Sequence, residues 1–549
     1  MKKRVLKVQS QDNLIVALDH LEKGEVIVYN NKEVTLLEAI APKHKFTESD
    51  LKKGEELFMY GVLVGKAEYD IPAGSMITTF NVKHAAAPFK LGERKLHWDK
   101  PEQGNFKDKT FQGFHRANGS VGTANYWIVL PLVFCENRNL DVMKEALVTQ
   151  LGYGKSDKYK DFAKELISKY QKGDEVQDIL GSELQSVAEK SNPKRIFENI
   201  DGVKFLNHDM GCGGTRQDAQ SLCGLLAGYI AHPNVAGATV LSLGCQNAQY
   251  SILQEELLKR ECTDKPLVFL EQQEEGTEEK LITEAIKKTF AGLMDANKKS
   301  RQPAPLSKLV LGLECGGSDG FSGISANPSL GYVSDLLVSL GGTTILSEFP
   351  ELCGVEQELS DRCVDEETAL KFNSLMTAYA ASAVKAGSGF DMNPSPGNIK
   401  DGLITDAIKS AGAAKKGGTS PVTDVLDYPE MVNKKGLNLL CTPGNDVEST
   451  TGMVGSGANV VLFTTGLGTP TGNPIAPVIK VSSNTKLSEK MPDIIDINTG
   501  PIIEGEENIE DTGRRILDYI IAVASGDIQC KAVINQQDDF IPWKRGVSL

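Results

Sequence analysis

Long hydrophobic runs and excess positive charge are both missing from this 549-residue sequence. The longest compact apolar run, residues 127–134, is far shorter than the roughly 18 residues that a membrane helix needs. Lys and Arg number 59 against 73 Asp and Glu, which gives a net charge of −14 without any long basic run. A chain this acidic is a poor candidate for binding nucleic acid or an anionic membrane surface.

Cysteine is also scarce. The ten cysteines are too few for a disulfide scaffold in a chain of this length, and they occur singly rather than in CxxC pairs. The N-terminal residues MKKRVLKVQSQDN lack the apolar stretch of a signal peptide. We therefore expect a cytoplasmic protein whose thiols are free, catalytic or metal-bound. Aromatic residues make up only 6%, whereas 53 glycines favour many tight turns.

The order of predicted elements divides the chain into three parts. Short β-type runs predict a small β-rich domain over residues 1–95, and the polar stretch 96–112 is typical of a linker. Beyond it, apolar strands alternate with helices, which predicts α/β domains with mostly parallel sheets. The stretch RQPAP after a long helix indicates a boundary near residue 301. We predict α/β domains over 113–300 and 301–549.

Polar, sulfur-bearing and glycine residues recur directly after the predicted strands. In open α/β sheets, ligands bind beyond the carboxyl ends of the strands, so these residues are candidates for a site. The positions singled out in this way are Cys135, His208, Cys212, Cys245, Asn247, Glu314, Cys315, Ser318, Asp319, Glu348, Asn445 and Gly466.

Each candidate also has a purely structural interpretation. A lone cysteine after a strand is usually a small buried residue, and His208 could be a hydrogen-bonded loop histidine. Glu314 and Glu348 could cap helices or form salt bridges. The stretch GAAKKGG at 412–418 could be a solvated loop, or Lys415 and Lys416 could bind a carboxylate-bearing substrate. No Walker motif and no early GxGxxG motif is present, which argues against nucleotide binding.

Several longer motifs resemble the altronate/galactarate dehydratase family of sugar-acid dehydratases. They are GFHRANGSVGTANYWIVLPLVFCENRN (113–139), HDMGCGG (208–214), LGCQN (243–247), ECGGSDGFSGISANPSLGYVSD (314–335), NPSPGN (393–398) and TTGLGTPTGNPIAPVIKVSSN (464–484). The resemblance covers the whole chain in order and includes an N-terminal module similar to the SAF domain.

The resemblance implies loss of water from a hexonate-type acid, with altronate becoming 2-keto-3-deoxygluconate with the help of iron(II). Such a reaction needs a base for the α-proton, positive charge near the carboxylate, and assistance for the leaving hydroxyl. We predict catalytic roles for His208, Glu314, Glu348 and Lys415. The predicted substrate-binding residues are Asn125, Asn247, Ser318, Asp319, Asn445 and Gly466, and the predicted metal ligands are His84, Cys212, Cys245 and Cys315. An iron–sulfur cluster on Cys212, Cys245 and Cys315 is the alternative to a single Fe(II) ion.

Two stretches depart from the family pattern. Residues 73–81 read AGSMITTFN, without the alternating histidines of related SAF modules, so a ligand role there is absent or shifts to His84. Residues 116–125 read RANGSVGTAN and lack two arginines and an acid of the family pattern. The alternatives are therefore another acid such as galactarate, a sulfolactate lyase-like reaction, or a non-catalytic sugar-acid sensor. A small-molecule sugar acid is the expected binding partner, and the sequence leaves open whether the chain forms a homo-oligomer.

Overall fold

A computed structural model describes residues 3–30, 32–154, 158–184, 194–262 and 265–549. Within these ranges no helix is long and apolar enough to cross a membrane. The predicted fold class is confirmed: a small β-rich N-terminal part precedes α/β parts with parallel sheets.

The N-terminal part consists of short antiparallel strands. Their apolar residues alternate with exposed polar ones, as in β6, because each small sheet buries only one face. The strands are β1 (Val5–Leu6), β2 (Leu14–Ala17), β3 (Val26–Tyr29), β4 (Lys32–Thr35), β5 (Lys45–Thr47), β6 (Glu56–Met59), β7 (Val62–Ala67) and β8 (Val82–Lys83).

The middle part is built on a parallel sheet with the order β12-β11-β13-β14. β11 is buried along its whole length, as expected of a central parallel strand covered on both faces. The elements of the middle part are β9 (Thr110–His115), β10 (Val121–Gly122), β11 (Tyr126–Pro131), α1 (Asn137–Leu147), α2 (Lys158–Lys172), α3 (Val176–Leu180), β12 (Gly202–Phe205), α4 (Arg216–Ala231), β13 (Val235–Ser242), α5 (Tyr250–Lys259), β14 (Leu267–Glu271), α6 (Gln272–Glu275) and α7 (Glu278–Ala296).

The C-terminal part holds a seven-stranded parallel sheet with the order β18-β19-β17-β16-β20-β21-β22. Its elements are β15 (Gln302–Pro305), β16 (Val310–Cys315), α8 (Ala326–Ser339), β17 (Thr343–Leu346), α9 (Glu356–Asp361), α10 (Glu366–Lys385), α11 (Pro396–Lys400), α12 (Asp406–Ala414), β18 (Val422–Leu426), β19 (Gly436–Leu440), α13 (Asp446–Gly455), β20 (Val460–Thr465), β21 (Val478–Ser482), α14 (Thr485–Lys490), β22 (Ile497–Asn498), α15 (Gly500–Glu504), α16 (Ile509–Ser525) and α17 (Lys531–Ile534).

The parts pack tightly against one another. β9 begins inside the stretch expected to be a linker and pairs with β15, so a strand from each side of residue 301 shares one small sheet. Helix α4 of the middle part lies so close to α13 that a Cβ on Gly228 would be 2.1 Å from the carbonyl oxygen of Gly455. The N-terminal part contacts the C-terminal part through Lys43, whose Nζ lies 3.0 Å from Asp319 and 2.8 Å from Asp401.

Candidate active site

A buried group of charged side chains lies at the carboxyl ends of β16 and β17, near the middle of the seven-stranded sheet. The register pairs Leu313 with Leu346, which brings the residues after each strand side by side. We call this group the carboxylate cluster; its members are Glu314, Cys315, Glu348, Glu351, Lys409 and Lys416.

One half of the carboxylate cluster is centred on Lys416. Its Nζ donates to Sγ of Cys315 at 2.7 Å and to Oε2 of Glu348 at 2.8 Å. The Lys416 and Glu348 side chains are each only 1% exposed. Burial by itself would lower the pKa of Lys416, but the surrounding Cys315 and carboxylates raise it well above its usual range. Lys416 is therefore a permanent positive charge inside the domain.

The other half is centred on Glu351. Lys409 on α12 donates to Oε1 of Glu351 at 2.6 Å and to Oδ1 of Asn393 at 2.5 Å. The Cys315 thiol donates to Oε2 of Glu351 at 3.2 Å. Burial would raise the pKa of Glu351, but Lys409 and Lys416 lower it overall, so this carboxylate is ionised.

Glu314 is held as a neutral acid. Its Oε2 accepts hydrogen bonds from Ser449 at 2.7 Å and from Ser347 at 3.3 Å. Burial, followed by repulsion from Glu348, raises the pKa of Glu314 well above its usual range. The Oε1 atoms of Glu314 and Glu348 are both buried without a hydrogen-bond partner. The cluster thus contains a carboxylic acid beside a carboxylate.

The backbone at Glu348 is unusual for a non-glycine residue. Its φ of 64° and ψ of 58° lie in the left-handed region. This conformation turns the chain sharply after β17, and its side chain returns to the backbone amide of Cys315, 3.3 Å from Oε2. Strained residues of this kind persist where the surrounding structure holds them, and they concentrate at functional sites.

Asp446 lies beside the carboxylate cluster and is less buried than the cluster's glutamates. It is the first residue of α13, next to the exposed Gly444 and Asn445. Burial and the nearby Glu348 and Glu351 raise the pKa of Asp446 to about 7. A carboxyl with that pKa can gain or lose a proton at neutral pH, which suits a general base or acid.

The glycines of the ECGG turn let the main chain approach Asp446. A Cβ on Gly316 would lie 2.1 Å from Oδ2 of Asp446, so no larger residue fits there in the present arrangement. Gly317 has φ of 59°. The turn therefore places main chain directly beside the Asp446 carboxyl.

The donor set of the carboxylate cluster suits a borderline divalent metal. Ligand atoms of Cys315, Glu348 and Glu351 lie within 4.8 Å of one another. A thiolate with two carboxylates is compatible with Fe(II) or Zn(II), and Glu348 has a buried oxygen without a partner. These residues fit the iron that the resemblance implies.

Cys212 and Cys245 lie elsewhere, at the carboxyl edge of the four-stranded sheet. Both are exposed, as is Cys135 after the neighbouring β11. Cys212 and Asn247 line a small crevice with Asp209 and Lys544. Across the described ranges, no group of three ligand atoms within 4.8 Å includes Cys212 or Cys245. The structure therefore does not bring these two thiols together with Cys315 around one ion.

His208 is buried beneath this edge. Its Nε2 donates to the carbonyl of Pro131 at 2.9 Å, and its Nδ1 accepts from the amide of Met210 at 3.1 Å. Burial lowers the pKa of His208 to about 4, so the ring is neutral at pH 7. Because both nitrogens bind backbone, the geometry fits the loop histidine better than the base.

The lysine predicted to be catalytic, Lys415, is not the one that lies in the carboxylate cluster. Lys415 is partly exposed and its Nζ lies 3.9 Å from Glu358, outside the carboxylate cluster. Its neighbour Lys416 is the lysine that belongs to the carboxylate cluster.

Asn125 does not lie at the carboxyl ends of the strands either. It precedes β11, and its side-chain amide donates to the carbonyl of Asn199 at 2.7 Å. That contact joins two segments at the amino edge of the sheet.

The remaining predicted substrate-binding residues surround the carboxylate cluster without entering it. The Ser318 carbonyl accepts a 2.7 Å hydrogen bond from Asn398. Asp319 is fully buried and accepts from Ser483 at 2.8 Å. Asn445 caps α13 through its side-chain oxygen. A Cβ on Gly466 would overlap Asp319. These residues support the ECGGSD turn, and of them only Asn445 reaches the surface.

Three family models match in order: the altronate/galactarate dehydratase SAF domain over residues 3–85, the second domain of D-galactarate dehydratase/altronate hydrolase over 113–297, and the C-terminal domain of D-galactarate/altronate dehydratase over 306–548. Altronate dehydratase of Bacillus subtilis (strain 168) is 34% identical over 100% of both chains. The chain belongs to this family.

Other members show how far the similarity extends. Altronate dehydratase of Escherichia coli K12 is 33% identical over 99% of both chains. The L-threo-forming galactarate dehydratase of the same organism is 31% identical over 95% of this chain and 92% of its own. Like these relatives, this member of the family is a hydro-lyase of the sugar-acid dehydratase type.

Three members of the carboxylate cluster, Glu351, Lys409 and Lys416, and the neighbouring Asp446 were not among the predicted site residues. Glu351 and Lys409 do not follow a strand directly, so the strand-end rule could not select them. Asp446 lies next to the predicted Asn445, and Lys416 was noted only as part of a lysine pair. An acid three residues after a strand-end acid, as in Glu348 and Glu351, is the signal that could have extended the set.

Proposed function

We propose that this protein dehydrates a hexonate-type sugar acid, D-altronate in the first instance, to a 2-keto-3-deoxy acid. The carboxylate cluster carries the proposal, because it combines the neutral acid Glu314, the ionised Glu351 and two ammonium groups near the strand ends. The full-length similarity to two altronate dehydratases supports altronate over galactarate.

Proton removal is assigned to Asp446. It lies beside the carboxylate cluster and is more exposed than the cluster's glutamates, and its pKa of about 7 allows it to accept the α-proton. Lys409 is an ammonium close enough to Asp446 to interact with it electrostatically, and it also binds Glu351. Its charge would stabilise the substrate carboxylate as negative charge develops on it.

Cys315, Glu348 and Glu351 are the residues that would hold Fe(II). When bound there, the ion would polarise the substrate and assist departure of the β-hydroxyl. Lys416 then balances the buried carboxylate of Glu348 and keeps it in position. The iron–sulfur alternative would use Cys212, Cys245 and Cys315, but the first two thiols are exposed at the other sheet whereas Cys315 is buried.

A substrate panel tests the proposal. Purified protein with Fe(II) under reducing conditions is incubated with altronate, galactarate and sulfolactate, and 2-keto products are detected. Altronate should give the highest kcat/KM. Preferential turnover of galactarate or sulfolactate would reassign the substrate, and binding without turnover would identify a sensor. A visible absorption band in anaerobically purified protein would favour the cluster cofactor.

Asp446→Asn tests the assigned base. The wild-type kcat/KM should rise with pH towards a plateau above about 7, because the base works only when ionised. The variant should lose roughly 10²-fold or more of kcat together with this rising limb. Glu448→Gln, on the same helix, is the matched control. A variant with unchanged kcat and an unchanged pH profile would remove Asp446 from the mechanism.

A further inference from the structure

A second group of metal-ligating side chains lies where the N-terminal part ends. His84 directly follows β8, Cys353 follows the short 3-10 turn Phe349–Leu352, and Asp406 is the first residue of α12. Ligand atoms of these three residues lie within 4.8 Å of one another. His84 Nδ1 and Asp406 Oδ1 are in direct contact.

The three chain segments are packed closely at this point. A Cβ on Gly354 would lie 3.2 Å from that of Ala407 and 3.3 Å from that of Ala86. Each segment therefore supplies one ligand from a fixed main chain. The Glu356 carboxyl also interacts electrostatically with both His84 and Asp406.

An imidazole, a thiolate and a carboxylate form a donor set that Zn²⁺ and similar borderline ions prefer. Acidic residues alone would favour Ca²⁺ or Mg²⁺, but the thiol and imidazole select against those hard ions. The site is partly exposed, since His84 lies at the surface and Asp406 is buried, so an ion could enter from solvent.

We propose that His84, Cys353 and Asp406 bind one borderline divalent transition-metal ion that fastens the N-terminal part to the C-terminal part. This site is separate from the carboxylate cluster and does not depend on the proposed reaction. It is nevertheless close in sequence, because Asp406 lies one turn before Lys409 on α12 and Cys353 lies two residues after Glu351.

The ion would have a mechanical role. Residues 84–103 form no helix or strand and are largely exposed, and His84 is the first residue of this irregular stretch. Binding at His84 would anchor the start of that stretch to two segments that also support Glu351 and Lys409. The site would thereby stabilise the docked arrangement.

Cobalt(II) binding to the metal-stripped full-length chain tests the site. Co²⁺ replaces Zn²⁺ and gives an absorption band when a thiolate binds it. The wild type should show this band, and His84→Ala and Cys353→Ser should each bind about one equivalent less and lose that part of the band. His97→Ala and Cys262→Ser are matched controls and should retain both.

Limited trypsin digestion supplies a second readout. The ion should slow cleavage at Lys90, Arg94 and Lys95 in the wild type but not in Cys353→Ser. Melting curves of each variant show whether it is folded. Equal metal equivalents and equal spectra in the wild type and both site variants would overturn the proposal, as would metal-independent cleavage of the wild type.

Discussion

At the scale of single residues, the adjacent lysines 415 and 416 occupy opposite environments. Lys416 is buried against Cys315 and Glu348, whereas Lys415 is partly exposed near Glu358. Lys416→Met would leave a buried carboxylate without its counter-charge, which typically destabilises a protein by 3–5 kcal/mol, or about 4 kcal/mol here. We expect a lower melting temperature and loss of kcat.

Lys415→Met is the control for that change, and it should alter unfolding free energy by no more than about 0.5 kcal/mol. Urea unfolding and kcat measured on the same preparations give both quantities. If Lys415→Met abolishes turnover and Lys416→Met does not, the assignment made from the sequence is right and the one made from the geometry fails.

A substitution of His208 should lower the stability of the protein without lowering its activity. His208→Asn removes two buried hydrogen bonds to backbone, so it should cost about 2–3 kcal/mol of unfolding free energy while activity per folded molecule is kept. His20→Asn, at an exposed histidine, is the control. Loss of kcat with an unchanged melting temperature would instead support the base role.

The same histidine gives a direction for pH dependence. Its pKa is about 4 in the folded chain and about 6.5 when unfolded, so protons bind more strongly to the unfolded state between these values. The stability it provides is complete above pH 6.5 and falls as the pH drops towards 4. Unfolding curves at several pH values should show a shallower acid loss in the His208→Asn variant.

Single residues also show where sequence reasoning reached the site. Glu314, Cys315 and Glu348 were found because each follows an apolar strand, and β16 and β17 are neighbours. Which of Lys415 and Lys416 points into the site depends on the geometry of the 3-10 turn Lys415–Gly417. That geometry cannot be predicted from a pair of adjacent lysines in the sequence. Lys409 approaches from a helix, so its role depends on how α12 packs.

At the scale of elements, helix α4 packs on α13 through small residues. Gly228 faces the carbonyl of Gly455, and a Cβ added to Gly228 would lie only 2.1 Å from that carbonyl oxygen. Gly228→Ala should therefore push the helices apart and lower unfolding free energy by about 1–3 kcal/mol, despite the better helix propensity of alanine. Thermal unfolding measures the effect.

Gly397→Ala is the matched control, because Gly397 lies in helix α11 with its nearest neighbour 3.8 Å from the added carbon. That change should be neutral or slightly stabilising. Equal melting temperatures of the two variants would show that α4 and α13 can separate without loss.

The strands predicted from apolar runs correspond to β11, β12, β13, β14, β16, β17, β19 and β20, with ends shifted by a few residues. β21 was missed because it directly follows a glycine-rich and proline-rich stretch, residues 466–477. β18 was missed because its sequence VTDVL carries a central acid. The polar residues in or before these two strands therefore prevented their prediction, although both strands pair within the sheet.

At the scale of the whole molecule, Lys43 joins the N-terminal part to the turn that follows β16. Its contact with the fully buried Asp319 suggests that Lys43→Met will lower unfolding free energy by about 3 kcal/mol and loosen the docked part. Lys52→Met, which breaks an exposed pair with Asp70, should change it by less than about 1 kcal/mol.

Limited proteolysis of residues 84–103 and urea unfolding, applied to both lysine variants, measure the two effects. Similar cleavage rates and similar unfolding midpoints would show that the N-terminal part stays docked without Lys43. In that case the contact of the buried Lys45 with the Gly402 carbonyl would be the stronger attachment.

The long sequence separation within the carboxylate cluster has a consequence for biosynthesis. Glu314 bonds Ser449, 135 residues later, and β16 pairs in parallel with β20. A growing chain must therefore emerge from the ribosome beyond residue 465 before the central strand has both neighbours. Until then its apolar edge stays open to other nascent chains, and such topologies fold slowly. Slower synthesis at reduced temperature should raise the soluble yield.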